Sequence, residues 1–120
     1  MLIRSLLCAQ PEGVSHDATI LKRVLLKNGE VPCLTNFSQA VLEAGEVTTS
    51  HRHADMWEVF YVDSGEGFAI IDERRVDLSR GYCLVVAPGE KHQIGASAQV
   101  PLTLNYFGIA PGVIANALKV

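Results

Sequence analysis

The sequence predicts an all-β protein, a sandwich or a barrel, formed by one domain over residues 1–120. Short apolar runs recur along the chain, and Gly, Pro, Asn and Asp interrupt them roughly every 8–12 residues, which is typical of such folds. A chain of 120 residues has the length of one domain, and no linker, internal repeat or low-complexity tract divides it. Hydrophobic residues make up 48% and charged residues 19%, so the chain can bury a core of its own.

The individual strands follow from the apolar runs and from the turn residues between them. Asn28-Gly29 is a strong turn signal, Ser64 to Gly67 is expected to turn the chain back, and Pro88-Gly89 ends another run. The tail from Pro111 to Val120 is predicted to form a short helix, with proline in its first turn. The predicted strands are, in chain order, residues 19–26, 34–43, 47–53, 57–63, 67–72, 74–79, 81–87, 92–96 and 101–109.

Charge and cysteine content exclude several classes of protein. The net charge is −3 and no basic run is longer than two residues, as at Arg74-Arg75, so we expect no nucleic-acid partner. No apolar stretch has the length of a membrane span, so we expect no membrane partner either. The three cysteines are odd in number and form no C-x-x-C pair, which favours a reducing compartment and predicts a cytoplasmic protein. Cys83 lies in an apolar run and is expected in the core.

Four residues could meet at one metal ion. His51 and His53 are two apart, so on a strand both imidazoles point to the same face. Glu58 can join them only if the chain bends near residues 54–56, and His92 begins a new strand that could bring a third imidazole across a barrel. Nitrogen and oxygen donors together suit Fe, Mn, Ni, Cu or Zn better than Ca or Mg. The spacing alone leaves open that each histidine is a separate surface residue.

Two motifs make the sequence resemble the cupin superfamily, in particular its small single-domain microbial members. Residues 45–65 match every fixed position of the first cupin motif, G(X)5HXH(X)3–4E(X)6G. Residues 81–96 match the second motif, G(X)5PXG(X)2H(X)3N, except that Ala87 stands at the first proline and Ala96 at the final asparagine. Neither departure falls on a metal ligand of the family. The resemblance implies a jelly-roll barrel (a double-stranded β-helix) with one divalent transition metal on His51, His53, Glu58 and His92.

The resemblance does not select a reaction, because cupins include dioxygenases, decarboxylases, lyases, sugar isomerases and proteins without catalytic activity. We expect a metalloenzyme that acts on a small molecule, with no catalytic residue predicted beyond the metal. A module that binds a small molecule or a metal without turnover is the alternative. A sugar isomerase or epimerase relative is less favoured, because epimerase relatives of this barrel tend to work without metal and no set of inward cations is evident.

Strand alternation also predicts the surroundings of the metal. If Glu43 and Asp77 face solvent, then Val76 and Leu78 face inward, and so do the residues expected to line a mostly apolar pocket. Val59 and Tyr61 would then lie on the outer surface, which together with the frequent dimerisation of cupins predicts a homodimer. The expected pocket residues are Ala40, Leu42, Phe60, Ile94 and Tyr106.

Overall fold

Antiparallel β-strands form nearly all of the regular structure in the computed structural model, which describes residues 1–14 and 17–113. A short 3-10 helix, Leu6–Cys8, precedes them. The all-β prediction is therefore confirmed. The strands are β1 Pro11–Val14, β2 Asp17–Leu26, β3 Leu34–Leu42, β4 Trp57–Ile71, β5 Arg74–Ser79, β6 Cys83–Val86, β7 His92–Ala96 and β8 Leu102–Ile109.

The strands form two sheets that share β4, as in a jelly roll. The first half of β4 lies between β8 and β6, and the order continues from β8 through β3 and β2 to β1. The second half of β4 lies between β5 and β7. All of these pairs are antiparallel. Because β4 runs through both sheets, it places a site between them within reach of either.

Glycines allow β4 to cross between the sheets without a turn. Gly65 has a φ of 88°, and a Cβ there would lie 1.8 Å from the carbonyl oxygen of Pro101. A Cβ on Gly67 would lie 2.1 Å from the carbonyl oxygen of Gly95. The predicted break at residues 64–67 is therefore wrong: these glycines permit close approach of neighbouring backbone instead of ending a strand.

The predicted strand over residues 47–53 is also wrong. This segment is extended but forms only two isolated bridges, Val47 with Gly95 and His51 with His92. Between the bridges the N–H of Thr49 donates to the side chain of Asp17 and not to a neighbouring backbone, so no continuous ladder forms there. Strand β1 and the 3-10 helix were not predicted, because their few apolar residues show no alternation.

The predicted alternation is confirmed where the strands pack between the sheets. Ala40, Leu42 and Leu78 are buried, whereas Glu43 and Asp77 are exposed. Leu78 and Leu42 belong to one apolar cluster, against which Val76 packs while only partly buried.

The assignment of Cys83 to the core is wrong, because its side chain is exposed. In β6 the inward positions are Leu84 and Val86, and Val85 is exposed like Cys83. All four residues of this strand are apolar, so the sequence does not reveal the alternation between buried and exposed side chains. On β4, Trp57 precedes the inward Glu58 and points away from it, and 45% of its surface is exposed.

An ion pair ties the N-terminal segment to the loop after β2. Arg4 donates to the buried carboxylate of Glu30, which also accepts the backbone N–H of Lys27 at 2.6 Å. The Arg4 hydrogen bond, with that of Lys27, lowers the pKa of Glu30 to about 2. The predicted Asn28-Gly29 turn lies in this loop, where Gly29 has a φ of 77°.

The predicted C-terminal helix lies mostly outside the described residues, which end in a turn at Pro111 and Gly112 followed by Val113. His16, the remaining histidine of the sequence, also lies outside the described residues. In the part of the chain that the structure describes, no helix is long and apolar enough to span a membrane.

Candidate metal centre

The structure brings His51, His53, Glu58 and His92 together between the two sheets. Each residue offers one donor atom, and these atoms all lie within 4.8 Å of one another. His51 and His92 pair through their backbones, with N···O distances of 3.0 and 2.8 Å. Their ring centroids are 4.3 Å apart. The isolated bridge therefore fixes two of the imidazoles side by side.

A bend brings the other two residues to the same place. The chain bends at Ala54 and Asp55, as the spacing required, and β4 begins at Trp57. The carbonyl of His53 accepts the N–H of Gly89 at 2.7 Å, which ties this bend to the turn before His92. Glu58 then projects inward with only 7% of its surface exposed.

Backbone carbonyls orient two of the imidazole rings. The Nδ1 atom of His51 lies 2.9 Å from the carbonyl oxygen of Thr49, and Nδ1 of His92 lies 3.0 Å from that of Glu90. A carbonyl can only accept, so each Nδ1 carries the proton. In the neutral ring the lone pair is then on Nε2, which is the atom that can bind a metal.

The buried Glu58 carboxylate has imidazoles as its neighbours. Its Oε1 atom lies 3.0 Å from Nε2 of His92 and 3.2 Å from Nε2 of His53. Burial lowers the pKa of His92, but the hydrogen bonds with Glu58 and with the Glu90 carbonyl outweigh it, and the net shift is upward. The neighbours of His92 therefore stabilise the protonated form of its ring.

The segment that carries His51 is held from both sides. On one side Thr48 bonds β7: its N–H donates to the Ile94 carbonyl at 2.8 Å, and its hydroxyl accepts the Ile94 N–H at 3.0 Å. On the other side the Asp17 carboxylate of β2 accepts the Thr49 N–H at 2.8 Å and the Thr49 hydroxyl at 2.7 Å. Since the Thr49 carbonyl accepts from His51, Asp17 acts on the imidazole through one residue.

A cavity of about 150 Å³ opens beside the four residues. All five predicted pocket residues line it: Ala40, Leu42, Phe60, Ile94 and Tyr106. An apolar cavity of this volume has the size for one benzene-sized molecule. The site therefore has room for a small organic ligand.

Tyr106 supplies a hydroxyl among the predicted lining residues, which are otherwise apolar. Its ring stacks on Phe60 with centroids 5.5 Å apart. Burial, then the charge of Glu58, raises the pKa of Tyr106 to about 12, against a hydrogen bond with Ser38 that lowers it. The phenol is therefore neutral at physiological pH and can act as a hydrogen-bond donor or acceptor.

Several polar residues of the lining were not predicted. Lys22 of β2 is two residues after the buried Ile20, so the same alternation that predicted the other strands could have placed it inward. Asn36, Asp17 and Thr48 also line the cavity. Their polarity hid them, because the sequence reasoning sought apolar inward residues.

The family model for the cupin domain matches residues 38–107, more than half of the chain. An uncharacterized protein of Methanocaldococcus jannaschii is 23% identical over 91 residues, which cover 76% of this chain and 73% of that protein.

Solved structures share the fold. The crystal structure of a predicted oxalate decarboxylase from Thermotoga maritima superposes with a TM-score of 0.81 at 22% identity, covering 92% of this chain and 99% of that one. A Cupin 2 conserved barrel domain protein from Salinispora arenicola has a TM-score of 0.70 at 18% identity, covering 91% of this chain and 88% of that one. At these identities the likeness is one of fold.

Proposed function

Because the chain belongs to the cupin domain family, we propose that it binds one divalent transition metal ion on His51, His53, Glu58 and His92 and acts on a small organic molecule in the adjoining cavity. The observation that carries the proposal is the convergence of four donor atoms within 4.8 Å. The cavity that opens beside the donors is what distinguishes such a site from a purely structural one.

The donor set fits a transition metal. Donors bound about 2.0–2.2 Å from one ion lie at most about 4.4 Å apart, so the cluster needs to contract by only a few tenths of an ångström. Three imidazoles and one carboxylate suit Fe, Mn, Ni, Zn or Cu, whereas Ca and Mg prefer oxygen donors. The carbonyls that bond Nδ1 of His51 and of His92 already direct the Nε2 atoms of these rings toward the cluster.

A transition metal held by these four residues would be able to accept further ligands from the cavity. When bound, the ion would supply Lewis-acid chemistry or, if it is redox-active, oxygen chemistry. The residues that line the cavity would set what a ligand of the ion meets: Phe60 and Ile94 present apolar surface, and the neutral Tyr106 hydroxyl can hydrogen-bond a ligand oxygen. A dioxygenase-, lyase- or decarboxylase-like enzyme is the form of the proposal that uses all of these features.

Two alternatives remain distinct from this proposal. A non-catalytic module would use the same cluster and cavity to hold a metal or a small molecule, and absence of turnover in the metal-loaded protein would favour it. A sugar-nucleotide isomerase or epimerase relative fits less well: a cavity of about 150 Å³ is small for a nucleotide, and its lining contains one lysine and no arginine.

Elemental analysis tests the proposal most directly. Protein purified anaerobically without added metal is compared for wild type, His53→Ala, Glu58→Gln and Glu66→Gln. The last variant is a matched control, because Glu66 lies on the same strand as Glu58 but is exposed. We expect about one equivalent of metal in wild type and Glu66→Gln, and loss of metal in the other two. Wild type that binds no metal even after reconstitution would overturn the proposal.

We also propose that the protein forms a homodimer through the outer face of the sheet that contains β6, β4 and β8. Trp57, Tyr61 and Val85 are exposed on this face. The register places Trp57 opposite Ile109, itself exposed, and Tyr61 opposite Cys83. These side chains are uncharged, so two copies of a chain with net charge −3 can meet there without facing like charges.

A cytoplasmic location remains part of the proposal. Cys8, Cys33 and Cys83 are all free thiols in the structure. Free cysteines at or near the surface are more compatible with a reducing compartment than with an oxidising one. Fractionation of cells that express the tagged protein would test this.

A further inference from the structure

We infer that the ligand of this site is a small dicarboxylic acid, with one end at the metal and the far carboxylate on the ammonium of Lys22. This inference rests on the proposed metal site and names its class of ligand. Three observations support it. Lys22 lies in the wall of the cavity, the other charged groups there already have partners, and the space between Lys22 and the metal donors has the size of a short diacid.

Lys22 lies on the inner face of β2. It pairs with Ala40 of β3, whose buried side chain lines the same cavity, and it follows the buried Ile20 by two residues. Its own side chain is half-buried and lines the cavity that the four donor residues also line. A lysine at such a position packs its aliphatic stem in the wall, and its flexible side chain can bring the ammonium to a ligand in the cavity.

The other charged groups of the cavity already have partners. The Asp17 carboxylate accepts from the N–H and hydroxyl of Thr49, and Glu58 contacts His92 and His53. Within residues 1–14 and 17–113, Lys22 takes part in no ion pair or side-chain hydrogen bond. That region includes its cross-strand neighbour Glu12, which has no carboxylate oxygen within 4.0 Å of the ammonium. The ammonium is therefore available to an anionic ligand.

Two positive centres separated by an apolar wall match a molecule with two carboxylates. A divalent ion with Glu58 retains one positive charge, and Lys22 supplies another. Ala40, Leu42 and Leu104 line the cavity with apolar surface that suits methylene groups. A volume of about 150 Å³ accommodates chains of the size of malonate, succinate or glutarate.

The test uses a thermodynamic cycle with two changes. One change removes a carboxylate from the ligand, and the other removes the ammonium of Lys22 from the protein. Cobalt(II)-loaded protein is titrated with malonate, succinate and glutarate, and with propionate, butyrate and valerate, which replace one carboxylate by a methyl group. The visible absorption spectrum of the bound cobalt reports ligand binding without any turnover. Wild type is compared with Lys22→Met and with Arg23→Met, the matched control, because Arg23 is the next residue on β2 and points to the opposite face.

We expect wild type and Arg23→Met to prefer at least one diacid over its matched monoacid, and Lys22→Met to reduce that preference about tenfold, since a charge-assisted hydrogen bond is lost. Cobalt stoichiometry and the affinity for the monoacid should stay unchanged in Lys22→Met. Equal preference in all three proteins, at every chain length, would overturn the inference and leave the metal site intact. Failure of wild type to bind cobalt would instead overturn the proposed function and the inference with it.

Discussion

The Asp17 carboxylate should control how tightly the site binds a metal, although it is not a donor to the cluster. Its two hydrogen bonds, at 2.8 and 2.7 Å, hold the backbone N–H and the hydroxyl of Thr49. The carbonyl of Thr49 in turn fixes Nδ1 of His51 at 2.9 Å. In Asp17→Ala the 47–51 segment keeps its bonds to β7 but loses its support from β2.

The magnitude follows from the number and setting of these bonds. Charge-assisted hydrogen bonds contribute about 1.5–3 kcal/mol each when sheltered, but Thr49 is exposed, so the pair should contribute about 1–2 kcal/mol to the free energy of unfolding. Loss of a group that orients a metal-binding histidine reduces metal affinity about 10–100-fold. Because Asp17 acts through one intervening residue, we expect the lower figure, about tenfold or 1.4 kcal/mol.

Competition with a chromophoric chelator measures the metal Kd, and urea unfolding of the metal-free protein measures stability separately. Asp17→Asn keeps one oxygen acceptor for Thr49 and should recover part of the affinity, whereas Asp77→Ala removes an exposed carboxylate elsewhere and should change neither quantity. If Asp17→Ala lowers stability but leaves the metal Kd unchanged, the support of His51 through Thr49 has no role in metal binding and the reasoning is refuted.

Three further predictions concern the fold. The pKa of Glu30 in the folded protein is about 2, below its ordinary value of 4.5, so its contribution to stability is present above pH 4.5 and disappears as pH falls to 2. Glu30→Gln should therefore weaken the pH dependence of the unfolding free energy measured in urea. An unchanged pH profile would contradict this prediction. Gly65→Ala should lower the free energy of unfolding by more than about 3 kcal/mol, because the new Cβ would clash with backbone. Gly45→Ala should lower it by only about 1–2 kcal/mol, because Gly45 has a φ of 82° but open space around it. Equal losses in the two variants would refute the clash. Light scattering should give twice the 13.0 kDa chain mass, and Tyr61→Arg should give the monomer; a monomeric wild type would rule out the dimer.

The part of the fold that sequence reasoning predicted is the part governed by alternation. Ala40 and Leu42 lie on β3, and Leu78 lies on β5. On both strands burial follows a period of two, so the burial of each residue follows from its position. Alternation failed where backbone contacts decide the structure instead. Gly65 is a turn signal in the sequence, but the close approach of Pro101 makes it a crossing point inside β4.

The candidate site shows the same division. His51 and His53 share a face and His92 begins a strand, so the spacing allows these residues to converge, and the motif resemblance predicts that they do. Glu58 required only the bend that the chain makes. Lys22 was missed although it is two residues from the inward Ile20, because a lysine on a strand is ordinarily a solvated residue. Only the pairing of β2 with β3 shows that its side chain lines the cavity.

The four metal donors and the charged residues of β2 also lie in different parts of the chain. All four donors lie within residues 38–107, which the family model matches, whereas Asp17 and Lys22 lie on β2, before the match begins. The motifs therefore specify a metal site that many cupins could share, and β2 supplies charge that those motifs do not describe. It follows that substitutions on the inner face of β2, at Lys22 above all, should change which ligand binds while the metal remains in place. On the proposed role of Lys22, the family resemblance predicts the metal site but not the reaction because a residue that selects the ligand lies outside its motifs.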